Sequence, residues 1–106
     1  MNNFNFNHEE IIARIGYFRN KKNISAYDLS LQLGHSKNYF YRIESGETAL
    51  TMELFLKVLE VLEISTFEFF YPNTETFATD MEDLKLLKSL SVEERNSIMT
   101  LLKIKK

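Results

Sequence analysis

The stretch "LGHSKNYFYRIESGET", residues 33–48, sets three donor side chains close together: Lys37, Asn38 and Arg42. Arginine can bridge two acceptors of guanine, asparagine can pair with both groups of adenine, and lysine can reach guanine or a phosphate. Hydroxyl groups surround them, on Ser36, Tyr39, Tyr41, Ser45 and Thr48, with Ser25 a little upstream. Such groups suit phosphate oxygens, which position a protein on a duplex without reporting its sequence. A charged stripe is also what any solvated helix face looks like. The trio therefore gains meaning only from the elements that hold it.

Competing chemistries find less support. Tyr39, Phe40 and Tyr41 in a row suggest a stacking platform for single strands, but Phe40 is needed for the core, which leaves two tyrosines outside. His8 and His35 lack ligand spacing, and a partly buried imidazole is the expectation at His35. The paired acids Glu9–Glu10, Glu82–Asp83 and Glu93–Glu94 fall in first turns of helices, where they meet the positive end of the dipole. There is no nucleophile beside a base and no glycine-rich phosphate loop, so neither an enzyme nor a cofactor or metal site is expected. The chain has no cysteine, which excludes disulfides and thiolate metal sites. It has no apolar run long enough to span a bilayer and opens without the regions of a signal peptide. A cytoplasmic protein is the expectation. Thirteen Lys+Arg against fifteen Asp+Glu leave a net charge of −2, which argues against a general coater of nucleic acid. A specific binder with its cations on one face survives that test.

The positioning elements read as helices throughout. Asn7 can cap a first helix over about Glu9–Lys22, with Glu10 three residues on, an inward stripe of Ile11, Ile12, Ile15 and Phe18, and Asn23 as its stop. Ser25 and Asp28 open a second helix, with Ile24 and Leu29 at the staple positions and Gly34 at its end. Ser36 is the expected cap of a third helix, residues 36–45, which buries Phe40 and Ile43 and closes at Gly46. Thr51 caps a fourth over "MELFLKVLEVLE", and Ser65 a short fifth before Pro72. A polar linker, "NTETFA", separates residues 1–72 from a helical hairpin in 73–106, whose second helix opens on a Ser91–Glu94 capping box. The tail "KIKK" should fray. The fold class expected is all-α, five helices followed by a C-terminal hairpin.

Helix, glycine turn, helix is the helix-turn-helix unit, whose second helix can lie in a major groove. Leu29, Leu33, Phe40 and Ile43 pack it, Gly34 turns it, and Ser30 is small where the helices approach. At this point residues 8–71 resemble the lambda-repressor-like (Xre-type) helix-turn-helix regulators of bacteria and phages. The segments that carry the likeness are "IIARIGYFRNKKN", "ISAYDLSLQLGHSKNYFYRIESG" and "TMELFLKVLEVLEISTFEFF". The resemblance implies a homodimer on a palindromic double-stranded operator. Lys37, Asn38, Arg42 and Tyr41 would read bases, and Ser25, Ser36, Tyr39, Ser45 and Thr48 would contact the DNA backbone. It also implies a structural ion pair between Arg19 and Glu44.

The chain departs from that pattern in four places. Ala26 stands where a phosphate-binding Gln is frequent, and Glu47 with Thr48 occupies a loop that is commonly basic. His35 replaces a usual Val, and Glu63 a usual helix-ending Gly. The first two changes remove phosphate contacts, the source of most salt-dependent affinity; Lys21 and Lys22 could partly compensate. An alternative follows: an antitoxin-like or anti-repressor interaction module on the same fold, whose C-terminal helices hold a protein partner. Phe67, Phe69, Phe70 and Tyr71, with Leu54, Leu56 and Val61, form an apolar surplus that needs cover. The chain's own Leu84, Leu87, Ile98, Leu101 and Leu102 could supply it, and so could a symmetric dimer.

Overall fold

The computed structural model describes residues 7–104, and within them the backbone forms seven helices and no strand. These are α1 (His8–Lys21), α2 (Ala26–Gln32), α3 (Tyr39–Glu44), α4 (Met52–Leu62), α5 (Thr66–Phe69), α6 (Phe77–Lys88) and α7 (Val92–Ile104). The chain divides into two compact units between Pro72 and Asn73.

Most helix starts are fixed by a local side chain. Asn7 Oδ1 accepts the Glu10 N–H at 2.8 Å, Ser25 Oγ the Asp28 N–H at 3.0 Å, Thr51 Oγ1 the Leu54 N–H at 3.1 Å and Ser65 Oγ the Glu68 N–H at 3.0 Å. Each satisfies a donor that the first turn cannot pair internally. At α7 the box is reciprocal: Glu94 N–H donates to Ser91 Oγ and Ser91 N–H to Glu94 Oε1. The Ser91 N–H, and after it the Ser91 hydroxyl, hold the Glu94 carboxyl below the usual glutamate range.

Two starts differ from the sequence expectation. Helix α3 begins at Tyr39, three residues later than Ser36, and Asn38 occupies the cap position without a side-chain bond to the helix. Helix α6 begins at Phe77, inside the expected linker, where Thr76 Oγ1 donates to Asp80 Oδ2 at 3.0 Å. At the other end of the chain, Lys103 and Ile104 of the expected frayed tail are helical, while Lys105 and Lys106 lie outside the described residues. The opening segment, residues 1–6, also lies outside them.

The N-terminal unit has one core. Ile15 and Phe18 of α1, Leu29 of α2, Phe40 and Ile43 of α3, Val58 and Leu62 of α4 and Phe69 of α5 are all essentially inaccessible. Burying each such side chain stabilises the fold by about 1.5–3 kcal/mol relative to leaving it exposed. The Phe69 ring sits at the centre of the aromatic packing, 5.0 Å from Phe55 and 5.8 Å from Phe18. Arg14 secures the end of α5: its guanidinium donates to the carbonyls of Phe69, at 2.9 Å, and of Tyr71. Cations are favoured at such C-terminal carbonyls. Partial burial lowers the pKa of Arg14, and Glu10 and Tyr17 work against that shift.

The apolar surplus is only partly absorbed. Phe69 and Leu54 are buried, Phe70, Tyr71 and Val61 half-buried, and Phe67 and Leu56 exposed. In the C-terminal unit no residue of α6 or α7 is buried.

Candidate nucleic-acid interface

The geometry of α2 and α3 turns on one hydroxyl. Ser30 is fully buried, and its Oγ donates to the Ala26 carbonyl at 2.7 Å while accepting the Phe40 N–H at 2.8 Å. Phe40 N–H is one of the donors that the first turn of α3 leaves unpaired, so α2 caps α3 across the turn. Leu29, Phe40 and Ile43, the buried apolar residues of the two helices, belong to the same core. Between the helices the chain passes through Gly34 at φ +80°. A Cβ there would meet nothing within 4 Å, so the backbone angle, not space, selects glycine.

This arrangement explains why α3 starts late. The Tyr39 N–H donates to the Ser36 carbonyl at 3.0 Å, a turn in place of a first helical residue. Ser30 accepts the Phe40 N–H from α2, and the expected Ser36 side-chain cap is not formed. Lys37 and Asn38 consequently sit on the turn that leads into α3, both exposed, and not within the helix. Since Phe40 N–H is already satisfied from α2, Asn38 can keep its amide for another partner.

The remaining candidates fall into distinct settings. Tyr41 is 62% exposed, whereas Arg42, one residue on, is half-buried. Tyr39 is half-buried and stacks on His35, with ring centroids 3.7 Å apart and planes 8° from parallel. His35 itself is exposed, contrary to the partly buried imidazole expected, because its ring covers Tyr39 and does not enter the core. Ser25 is exposed; its oxygen accepts from Asp28, which leaves the hydroxyl proton to donate outward. Ser45 Oγ donates back to the Arg42 carbonyl at 3.1 Å, so a phosphate would have to displace that bond. Thr48 returns its N–H to the same carbonyl at 3.1 Å, closing the loop through Gly46 at φ +88°. Glu47, next to it, is exposed and brings negative charge to that loop.

Arg19 and Glu44 tie α1 to the end of α3. Arg19 Nη2 lies 3.2 Å from Glu44 Oε2, with Nε at 3.2 Å from the same oxygen, and the two side chains are 15% and 21% exposed. Arg19 also donates to the Ile24 carbonyl at 3.0 Å, at the α1–α2 junction. One guanidinium thus joins α1, the α1–α2 connection and α3, and with each charge facing the other neither is left buried alone.

Two contributors were not legible as such in the sequence. Ser30 is readable only as a small residue, and its hydrogen bond needs a partner ten residues away. Arg14, placed between Ile11 and Ile15 on the inward face, carries a signal of its own: a cation in an apolar stripe asks for carbonyls to meet. Among the described residues, no group of acidic, His or Cys side chains is placed to hold a metal ion, and no helix is long and apolar enough to cross a membrane.

Comparison with known proteins agrees with this geometry. Searches of curated proteins and of solved structures give no match. A helix-turn-helix family model matches residues 15–69, just over half of the chain, from Ile15 in α1 to Phe69 in α5. That family consists of DNA-binding regulatory domains, not enzymes. With the matched span coinciding with the packed core and enclosing the α2–α3 unit, the chain belongs to the helix-turn-helix family of lambda-repressor-like, Xre-type DNA-binding regulators.

Proposed function

We propose that this regulator reads a palindromic operator as a homodimer, with Lys37, Asn38, Arg42 and Tyr41 directed at base edges in the major groove. The observation that carries this reading is the Ser30–Phe40 bond, which caps α3 from behind and leaves Asn38 without a capping role at the front. Asn38 then pairs with adenine, Arg42 with guanine, and Lys37 with guanine or a phosphate. Ser25, Ser36, Tyr39 and Thr48 supply hydroxyls to the DNA backbone, and Ser45 does so once it releases the Arg42 carbonyl. Two half-sites about 34 Å apart, or a multiple of that, fit one protomer each.

The test selects bound fragments from random duplex DNA at low salt. A symmetric consensus is expected. Arg42→Ala should then weaken binding by about 1–3 kcal/mol and relax the preference at one base position. Unchanged binding by that variant would move the reading face elsewhere.

A second reading rests on Glu47 and Ala26, which take phosphate-facing positions away from DNA. On it, the fold is an antitoxin-like or anti-repressor module whose C-terminal helices hold a protein. Co-purification of a stoichiometric partner, with no enrichment from random DNA by the folded protein, would select this reading over the first.

A further inference from the structure

The helices of the C-terminal unit leave their apolar side chains without a core of their own. The unit spans residues 73–106, and neither of its helices has a buried residue. Its exposed side chains include Leu84, Leu86, Val92, Leu101, Leu102 and Ile104, the last at 75%. Something must cover them, and the charges of α6 indicate what.

Phe77, Met81, Leu84 and Lys88 recur at the i, i+4, i+7, i+11 spacing of a coiled-coil seam. A shallow groove follows the same face, lined by Met81, Leu84, Lys85, Lys88 and Ser89. Asp80 lies on one flank of this stripe and Lys85 on the other, five residues further on. The flanks decide the orientation of any self-pairing. Two antiparallel copies bring like flanks together, which sets Asp80 on the side of its own counterpart and away from Lys85. Two parallel copies bring opposite flanks together, and a five-residue offset is the spacing at which charges meet across a parallel seam. A two-fold axis then forms the pair twice.

We infer that α6 docks in parallel, in register, against α6 of a second copy of this chain, with Met81 and Leu84 in the seam and Asp80 facing Lys85 across it on both sides. The inference rests on the dimer in the proposed function but not on DNA. Asp80 already accepts the Thr76 hydroxyl, and a carboxylate has lone pairs for more than one further donor. Lys88, last on the stripe, lays its methylenes along the seam and carries its ammonium out to water. Helix α7 of each copy brings its own exposed leucines, so that four helices share one apolar interior.

The test uses the full-length protein and sedimentation over a range of concentrations, with circular dichroism to verify helix content. Lys85→Asp and Asp80→Lys should each weaken self-association at least about tenfold, since each places like charges opposite one another twice. An equal mixture of the two variants should recover a heterodimer, because every facing pair is again opposite in sign. The chain has no cysteine, so single replacements report cleanly. Phe77→Cys and Leu84→Cys should both cross-link to their own copies, whereas an antiparallel pair can align only one of them. A monomeric wild type, a dimer indifferent to both reversals, or cross-linking at one position alone would overturn the inference. Binding to a single half-site duplex separates the two claims. A dimer that passes these tests yet binds no DNA leaves the inference standing and removes the operator reading; a monomer that binds a half-site does the reverse.

Discussion

At the scale of single residues, Ser30 is where the fold and the proposed reading face meet. Its hydroxyl is wholly buried and fully used, donating at 2.7 Å and accepting at 2.8 Å. Ser30→Ala removes the acceptor and leaves the Phe40 N–H buried without one, a loss of about 1–3 kcal/mol. Thermal unfolding should register it as a fall of roughly 4–8 °C for each kcal/mol, the scale for a domain of this size. A melting temperature that did not move would mean that another acceptor serves Phe40, and that α3 is not held from α2. The contrast with Arg19 is instructive. Removing Arg19 would strand Glu44, which is 21% exposed and can still reach water, so the penalty there is softened. Ser30 has no such recourse.

At the scale of elements, the caps show what a sequence discloses. Asn7, Ser25, Thr51, Ser65 and Ser91 are legible because cap and recipient lie within three residues of one another. The start of α3 is not legible, because its acceptor comes from another helix ten residues back, and no local window contains it. The types of Lys37, Asn38 and Arg42 were readable; their division between turn and helix depended on that same bond. Helix ends tell a related story at Glu63. It stands at φ 57° after α4, where Ile64 N–H reaches the Leu59 carbonyl at 3.1 Å and Glu63 N–H the Glu60 carbonyl at 3.1 Å. These are the bonds of a Schellman ending, which glycine enters without the steric cost a Cβ imposes. Glu63→Gly should therefore stabilise the protein by about 0.5–1 kcal/mol, net of the entropy that glycine adds to the unfolded chain. Chemical denaturation would show a higher midpoint at an unchanged slope. Asn23, at φ 58° after α1, already uses a residue that tolerates this region, and the same change there should gain less.

At the scale of the whole molecule, charge decides how far affinity can depend on phosphates. The chain carries a net −2, and Glu47 places one of its negative charges on the loop beside α3. Each phosphate neutralised releases counterions, so affinity falls with salt at a slope of about −0.9 per contact on a log–log scale. With few cations near the interface, the slope for the wild type should be shallow, and base contacts should carry an unusually large share of binding. Glu47→Lys tests this division of labour. It raises the net charge by two and adds one cation to a loop whose backbone is already closed by Thr48 and Gly46. Binding should tighten, and the salt slope should steepen by about one for each half-site occupied. The selected consensus should stay the same, because a phosphate contact adds affinity to every sequence alike. If the consensus shifted, Glu47 would be a reader of bases and not merely a charge that repels the backbone. A slope that did not change would place this loop away from DNA and weaken the orientation proposed for α3.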